Sequence, residues 1–428
     1  MHRSAWYHGV TRYQWMVLLV AWLGWVFDSM DATIYALVLH PALHELLRGT
    51  AGASVSQGDI GWYGGLIFSI FLVGWAAGGV LFGIVADRYG RTKTLIFTIL
   101  TYALFTGLAA LSTSWWQLAA YRFLTALGVG GEWAAGAVLV AEVWPENKRT
   151  RAAGILQSAW ACGFLIAAVV NFLMRGQSWR PVFLVGIVPA LLCVLVRFSV
   201  KEPDRWIKAH EMEDHNGNSG RKKLSELFGT GMLRSTLVGS GLAFVAVFGL
   251  WGATNWTPTL VRSLPDLRGL PETSLTACVS YATIALNAGA IVGYLNFGPM
   301  ADRIGRRATF ALMCAGSLVM LPLTFLTPRS FTQVLLLLPL LGFFNNGLFG
   351  GFPIYFPELY PTRIRATGAG FCFNIGRVLA STGPLITGFL VKRLGGFGHA
   401  ASAIALIYLV GLAILPFAPE TRGKPLPD

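Results

Sequence analysis

The stretches GIVADRYGRTK, from Gly83 to Lys93, and GPMADRIGRRA, from Gly298 to Ala308, are two copies of one pattern, 215 residues apart. Each reads Gly, three residues, Asp-Arg, one residue, Gly-Arg, and each falls between long apolar runs. A second matched pair lies downstream: EVWPENKRTRAAG from Glu142 and ELYPTRIRATG from Glu358. Both read E-x-x-P and then R-x-R-A-x-G, with a two-residue difference in length. Two motifs repeated at nearly one offset point to an internal duplication.

Outward from these breaks the chain divides into apolar runs long enough to cross a hydrocarbon core about 30 Å thick, which takes roughly 20 residues each. Twelve are expected, at about 15–40, 61–82, 94–112, 115–140, 152–174, 179–198, 234–261, 274–297, 309–326, 331–356, 366–390 and 399–418. Barrel strands would instead alternate over about ten residues. The longest polar connector, 199–233, mixes charge signs (Lys201, Glu202, Asp204, Arg205, Arg221, Lys222) and reads as a linker. The expected organisation is a six-helix bundle at 1–198, the linker at 199–233 and a second bundle at 234–428.

Composition agrees with a lipid solvent. Charged residues make up 12% and hydrophobic ones 54%, whereas soluble domains carry about a quarter charged. The fifteen Trp fit the same reading, because Trp gathers at membrane interfaces. The net charge of +13 sits in short clusters between apolar runs, which excludes a nucleic-acid patch. With the N-terminus inside, 22 Lys and Arg fall on the cytoplasmic side and eight outside, so both termini are expected in the cytoplasm. Cys162, Cys193, Cys278, Cys314 and Cys372 form no metal-like spacing, and the seven His lie near ends or in connectors. Neither metal nor cofactor is expected. No cleavable signal is evident, since the first apolar run is too long.

The paired Gly-Asp-Arg-Gly-Arg motifs resemble the signature of the major facilitator superfamily. The resemblance covers the whole chain, including YRFLTALGVGGEW from Tyr121 and PETRGKPLP from Pro419. FDSMDATIYALV from Phe27, GVGGEWAAG from Gly128 and FCFNIGRVLASTGP from Phe371 are most similar to the proton-coupled organic-acid symporters of the sialate/lactate and aromatic-acid groups. It implies an all-α membrane protein of twelve transmembrane helices in two pseudo-symmetric six-helix bundles, in the plasma (inner) membrane. It further implies a latch between the halves on the cytoplasmic side. The expected latch residues are Gly83, Asp87, Arg88, Arg91, Glu142 and Arg149, with Gly298, Asp302, Arg303, Arg306, Glu358 and Arg363. The glycines permit close helix contact, and each Asp precedes a helix whose N-terminal dipole favours a carboxylate.

Polar residues inside the runs are candidates for function, because a charge at mid-bilayer costs about 2.5–3.5 kcal/mol on insertion scales. Asp28 and Asp31 lie three residues apart in the first run, with Trp25 and Tyr35 on their face. Arg122 and Arg377 are cations in the fourth and eleventh runs, and Asn374 shares the face of Arg377. Further amides are Gln157, Asn171, Asn255, Asn287, Asn345 and Asn346, and Glu132 is acidic in the fourth run. The third, ninth and twelfth runs have essentially none, which marks them as outside a polar cavity. An Asp–Arg pair can exchange a proton as its solvation alternates. By the resemblance Asp31 carries coupling with Arg122 as partner, and Asp28 shares or orients it.

Arg377 is the candidate for a substrate carboxylate, since guanidinium binds carboxylates through a planar fork. Its competing role is an ion pair with Glu132 or Asp28. Asn374, Asn346, Asn287, Gln157 and Tyr35 complete the expected substrate set. The expected function is secondary active transport of a small organic acid with protons by alternating access, as a monomer in the lipid bilayer. The rival readings are a proton-coupled sugar or polyol porter and a non-transporting receptor or scaffold. No nucleophile–base pair appears inside the runs, so no enzyme is expected.

Overall fold

The computed structural model describes residues 6–51, 57–174, 178–189, 191–192, 196, 199–215, 223–380 and 383–428. Cys193, Arg197, Arg221, Lys222 and the side chains of Asn171 and Asn255 lie outside this description. The described residues contain no strand. Lipid offers no partner for backbone N–H and C=O groups, so apolar segments must pair them internally as helices.

Helices occupy all twelve expected positions. The first half holds α1 (Arg12–Ala51), α2 (Gln57–Tyr89), α3 (Arg91–Ala109), α4 (Trp115–Val143), α5 (Arg149–Leu173) and α6 (Trp179–Leu184). A polar helix, α7 (Asp204–His215), lies in the linker. The second half holds α8 (Leu233–Gly252), α9 (Glu272–Ile304), α10 (Arg306–Leu326), α11 (Phe331–Leu341), α12 (Phe352–Leu359), α13 (Arg365–Ala380), α14 (Gly383–Leu394), α15 (Phe397–Ala405) and α16 (Ile407–Ile414). Among the described residues nine helical stretches are long and apolar enough to cross a membrane.

Several helices outrun their apolar cores. The 33 residues of α2 and of α9 span about 50 Å, well beyond the hydrocarbon. Their ends therefore project into the aqueous phase and carry the two Asp-Arg motifs. Likewise α1 passes through Pro41 and runs to Ala51, past the end its hydropathy predicts.

The tenth span is the irregular one. A π-helical stretch (Gly342–Asn346) and a 3-10 stretch (Gly347–Gly351) separate α11 from α12. Such breaks survive at membrane depth only where protein or a cavity covers them, and Gly347 to Gly351 are buried.

The duplication shows in packing as well as in sequence. A Cβ on Gly78 of α2 would lie 2.0 Å from the carbonyl oxygen of Leu127 in α4. At the matching place in the second half, a Cβ on Gly293 would lie 2.4 Å from that of Phe343. Both contacts depend on missing side chains, as lipid-solvated helices commonly do.

Candidate functional site

Three features stand out: a charged seal between the halves near the termini, a buried ion pair within the first half, and an aromatic cavity lined from both halves.

The seal grows out of the repeated motifs. Gly90 and Gly305 turn the chain at φ of 112° and 94°, a left-handed geometry that suits glycine. The sharp turns expose the first N–H groups of α3 and α10. Glu202 accepts from Thr92 N and Lys93 N at 3.1 Å each, and Glu420 accepts from Arg306 N and Arg307 N at 3.0 and 3.1 Å. Burial raises the Glu420 carboxyl, but these backbone donors more than offset it and hold it below the usual carboxylate range.

The arginine after each turn reaches across. Arg91 forks onto Glu142, with both contacts at 3.2 Å, and Arg306 forks onto Glu358 at 3.1 and 2.8 Å. Each acid also takes an arginine from the other half, Glu142 from Arg365 at 2.6 Å and Glu358 from Arg149 at 2.9 Å. Asp87 accepts from Ala366 N, Thr367 N and Thr367 Oγ1 at 3.1, 2.7 and 2.7 Å. Its helix-dipole partner is therefore α13 in the opposite half rather than the adjacent α3. Gly83 and Gly298 sit at the crossing points, against the backbone oxygens of Ala366 and Thr150.

This pairing corrects three latch assignments and the motif register. Arg88 lies exposed over the ring of Tyr89 and Arg303 is exposed too; neither joins Glu142 or Glu358. Arg363 pairs with Glu226 of the linker. The residue that reaches Glu142 is Arg365, seven positions after Glu358, as Arg149 is seven after Glu142. From the acid to the arginine the structural repeat thus runs without a gap, and the R-x-R-A-x-G match is offset by two. Asp302 is less enclosed than Asp87, its side chain 41% exposed, and accepts from Thr150 Oγ1.

Deeper in, Asp31 and Arg122 form an ion pair at 2.8 Å with side chains 1% and 0% exposed. Thr106 of α3 donates to the other Asp31 oxygen at 2.8 Å. Arg122 lies over the rings of Tyr35 and Phe71, at 4.8 and 4.4 Å. Tyr35 therefore belongs to this ion pair and not to the substrate set in which its sequence position placed it. Asp28 is fully buried beside Glu132, and Asp31 and Arg377 are its other charged neighbours.

Arg377 of α13 lies over the rings of Trp75 and Phe373, at 4.2 and 4.0 Å. One nitrogen donates to Asn374 at 3.0 Å. Among the described residues no acid lies within ion-pair distance of it, and of the two expected competitors Asp28 is a charged neighbour. It opens on a small cavity with Trp25, Trp75, Gln157, Trp160 and Phe373. Trp75, Trp160, Leu250 and Trp251 also line an adjoining cavity of about 350 Å³ on the side away from the termini, with Thr254, Asn287 and Asn346. Asn374 is buried and braces Arg377 instead of facing a ligand.

A model of the Major Facilitator Superfamily matches residues 21–296, and a model described as sugar (and other) transporter matches residues 208–428. The chain belongs to the Major Facilitator Superfamily. It is 30% identical to the cis,cis-muconate transport protein of Acinetobacter baylyi, over 96% of this chain and 95% of that one. It is 29% identical to the sialic acid transporter NanX of Escherichia coli, over 96% and 95%. The proton:xylose symporter XylE shares the fold at a TM-score of 0.78 and 18% identity, covering 97% of this chain and 98% of its own. As a facilitator superfamily member the protein is a secondary transporter embedded in the membrane, not an enzyme.

For a facilitator, the seal has a testable consequence. Asp87→Asn keeps the shape but removes the charge that three donors and Arg91 share. Hydrogen bonds to charged groups are worth roughly 1.5–3 kcal/mol. The closed population is therefore expected to fall about tenfold relative to the open one. Thiol labelling of a cysteine placed at Gln157, from the side bearing the termini, should accelerate accordingly; an unchanged rate would reduce the motif to a topology signal.

Of the aromatic lining, the sequence placed Trp25 on the polar face of the first run; Trp75 and Trp160 were not foreseen. Trp25 and Trp75 are 2% and 1% exposed in the interior, not at the membrane interfaces where composition alone assigns Trp. Their positions near Asp28 and within the glycine-rich α2 were the available signal.

Proposed function

We propose that this facilitator is a proton-coupled symporter of a small organic acid anion, working as a monomer by alternating access. The two bundles, 1–198 and 234–428, rock about the central cavity. The 199–233 linker and both termini lie in the cytoplasm. In this reading the structure is sealed on the cytoplasmic side, and its larger cavity serves the outward-facing state.

The carrying observation is Arg377: a buried guanidinium at the cavity base, oriented by two rings and Asn374, with no acid paired to it among the described residues. A neutral sugar offers no compensation for that charge, whereas a carboxylate does. The names of the muconate and sialic acid relatives support an acid cargo. Asp31 and Arg122 supply a titratable pair close by, and Asp28 stands between that pair and Arg377. Symport with protons suits an anion, which the membrane potential otherwise opposes by about 2.3 kcal/mol per charge per 100 mV.

The test is uptake into proteoliposomes carrying an internal pH dye. Carboxylates should enter together with acidification of the lumen, and should accumulate when a pH gradient is imposed. Uptake of sugars or polyols in preference to acids would overturn the reading.

A further inference from the structure

The lining around Arg377 narrows the cargo beyond an acid anion, on which reading this inference rests. Trp160 packs against Trp25 with ring centroids 5.0 Å apart and planes inclined by 36°, and against Trp75 at 5.9 Å and 39°. Three indoles thus form one continuous wall of the cavity. The guanidinium is held by the rings of Trp75 and Phe373 and by its bond to Asn374, and a carboxylate can meet its fork there.

Two further donors lack partners. The indole nitrogens of Trp25 and Trp75 are buried and make no hydrogen bond, although both residues are at least 98% enclosed. A buried N–H without an acceptor is destabilising, so such groups call for an explanation. A carboxylate has lone pairs enough for Arg377 and both indoles. Among the described residues lining the two cavities Arg377 is the one cation, and Arg122 is paired with Asp31.

We infer that the cargo is a monocarboxylate with a flat, aromatic or conjugated body, its carboxylate on Arg377 and the Trp25 and Trp75 N–H groups, its π face on Trp160. A saturated ring of the same size is thicker and lacks the π face that aromatic stacking uses. A second carboxylate would enter the apolar wall without a cation.

Binding to the purified full chain, read by thermal shift and tryptophan fluorescence, tests this with benzoate, sorbate, cyclohexanecarboxylate, terephthalate and benzamide. Benzoate and sorbate should bind at least about tenfold more tightly than cyclohexanecarboxylate, and terephthalate at least about tenfold more weakly than benzoate, a step of one decade in Kd. Trp160→Leu should shrink the benzoate-to-cyclohexanecarboxylate ratio to within about threefold. Trp25→Phe and Trp75→Phe keep a ring but lose the donor, and should weaken benzoate while leaving thermal stability of the free protein near its original value. Equal binding of benzoate and cyclohexanecarboxylate overturns the flat-body inference and leaves the anion reading standing. Benzamide binding as well as benzoate removes the anion reading itself. Failure of both flat acids to bind also overturns the inference.

Discussion

Replacing Arg377 with alanine is expected to abolish binding of the native cargo. The guanidinium faces an aromatic-lined cavity over the rings of Trp75 and Phe373, and no acid pairs with it among the described residues. Removing one partner of a buried charge pair costs roughly 2–5 kcal/mol in measured interfaces, at least an order of magnitude in affinity. Arg377→Lys should restore binding only in part. An ammonium keeps the charge but cannot reproduce the planar fork, the double stacking or the bond to Asn374 in the same geometry.

The alanine variant also takes away a cation beside Asp28, so lost binding could follow from a disturbed bundle. The intact protein separates the two causes. The native acid should stabilise it in a thermal-shift assay, and the corresponding amide or ester should not. Equal stabilisation by both would sink the acid-anion reading and promote a sugar or polyol cargo.

Neutralising Asp31 should produce a different phenotype. In Asp31→Asn the amide oxygen still accepts a hydrogen bond, so Thr106 or Arg122 keeps a partner in the original shape. The negative charge, and with it the proton, is gone. Accumulation driven by an imposed pH gradient should fall to the passive equilibrium value, while exchange of internal for external substrate continues. Exchange returns through the loaded carrier and needs no proton release.

Arg122 is then left buried without a counter-charge, and removing one member of a buried pair can cost about 3–5 kcal/mol. A lower Tm is expected alongside the transport defect. The double variant Asp31→Asn, Arg122→Gln should recover part of the Tm without recovering accumulation. If Asp31→Asn still concentrates substrate, coupling lies elsewhere, with Asp28 the next candidate.

Much of this architecture was legible in the chain. Lipid imposes a local test, the run of apolar residues needed to cross it, and that test places helices at all twelve positions without knowledge of neighbours. The repeated motifs around Asp87 and Asp302 announced the duplication, and Asp31, Arg122 and Arg377 stood out because a charge in such a run is expensive. Partner identity is different in kind. That Asp87 caps α13, that Arg365 rather than Arg363 reaches Glu142, and that Arg149 reaches Glu358 depend on residues more than 200 positions apart meeting at one plane.

The same holds for the cavity. The sequence placed Trp25 on the face of Asp28, but only the crossing of α1, α2 and α5 brings Trp75 and Trp160 to it as one wall. Hydropathy is a property of a segment against its solvent, so the sequence alone determined the spans and the stock of buried charge. Which charge is paired and which is left for a ligand depends on how the two bundles dock, and that only the tertiary structure decided: Arg122 is neutralised by Asp31, and Arg377 is left to face the cavity.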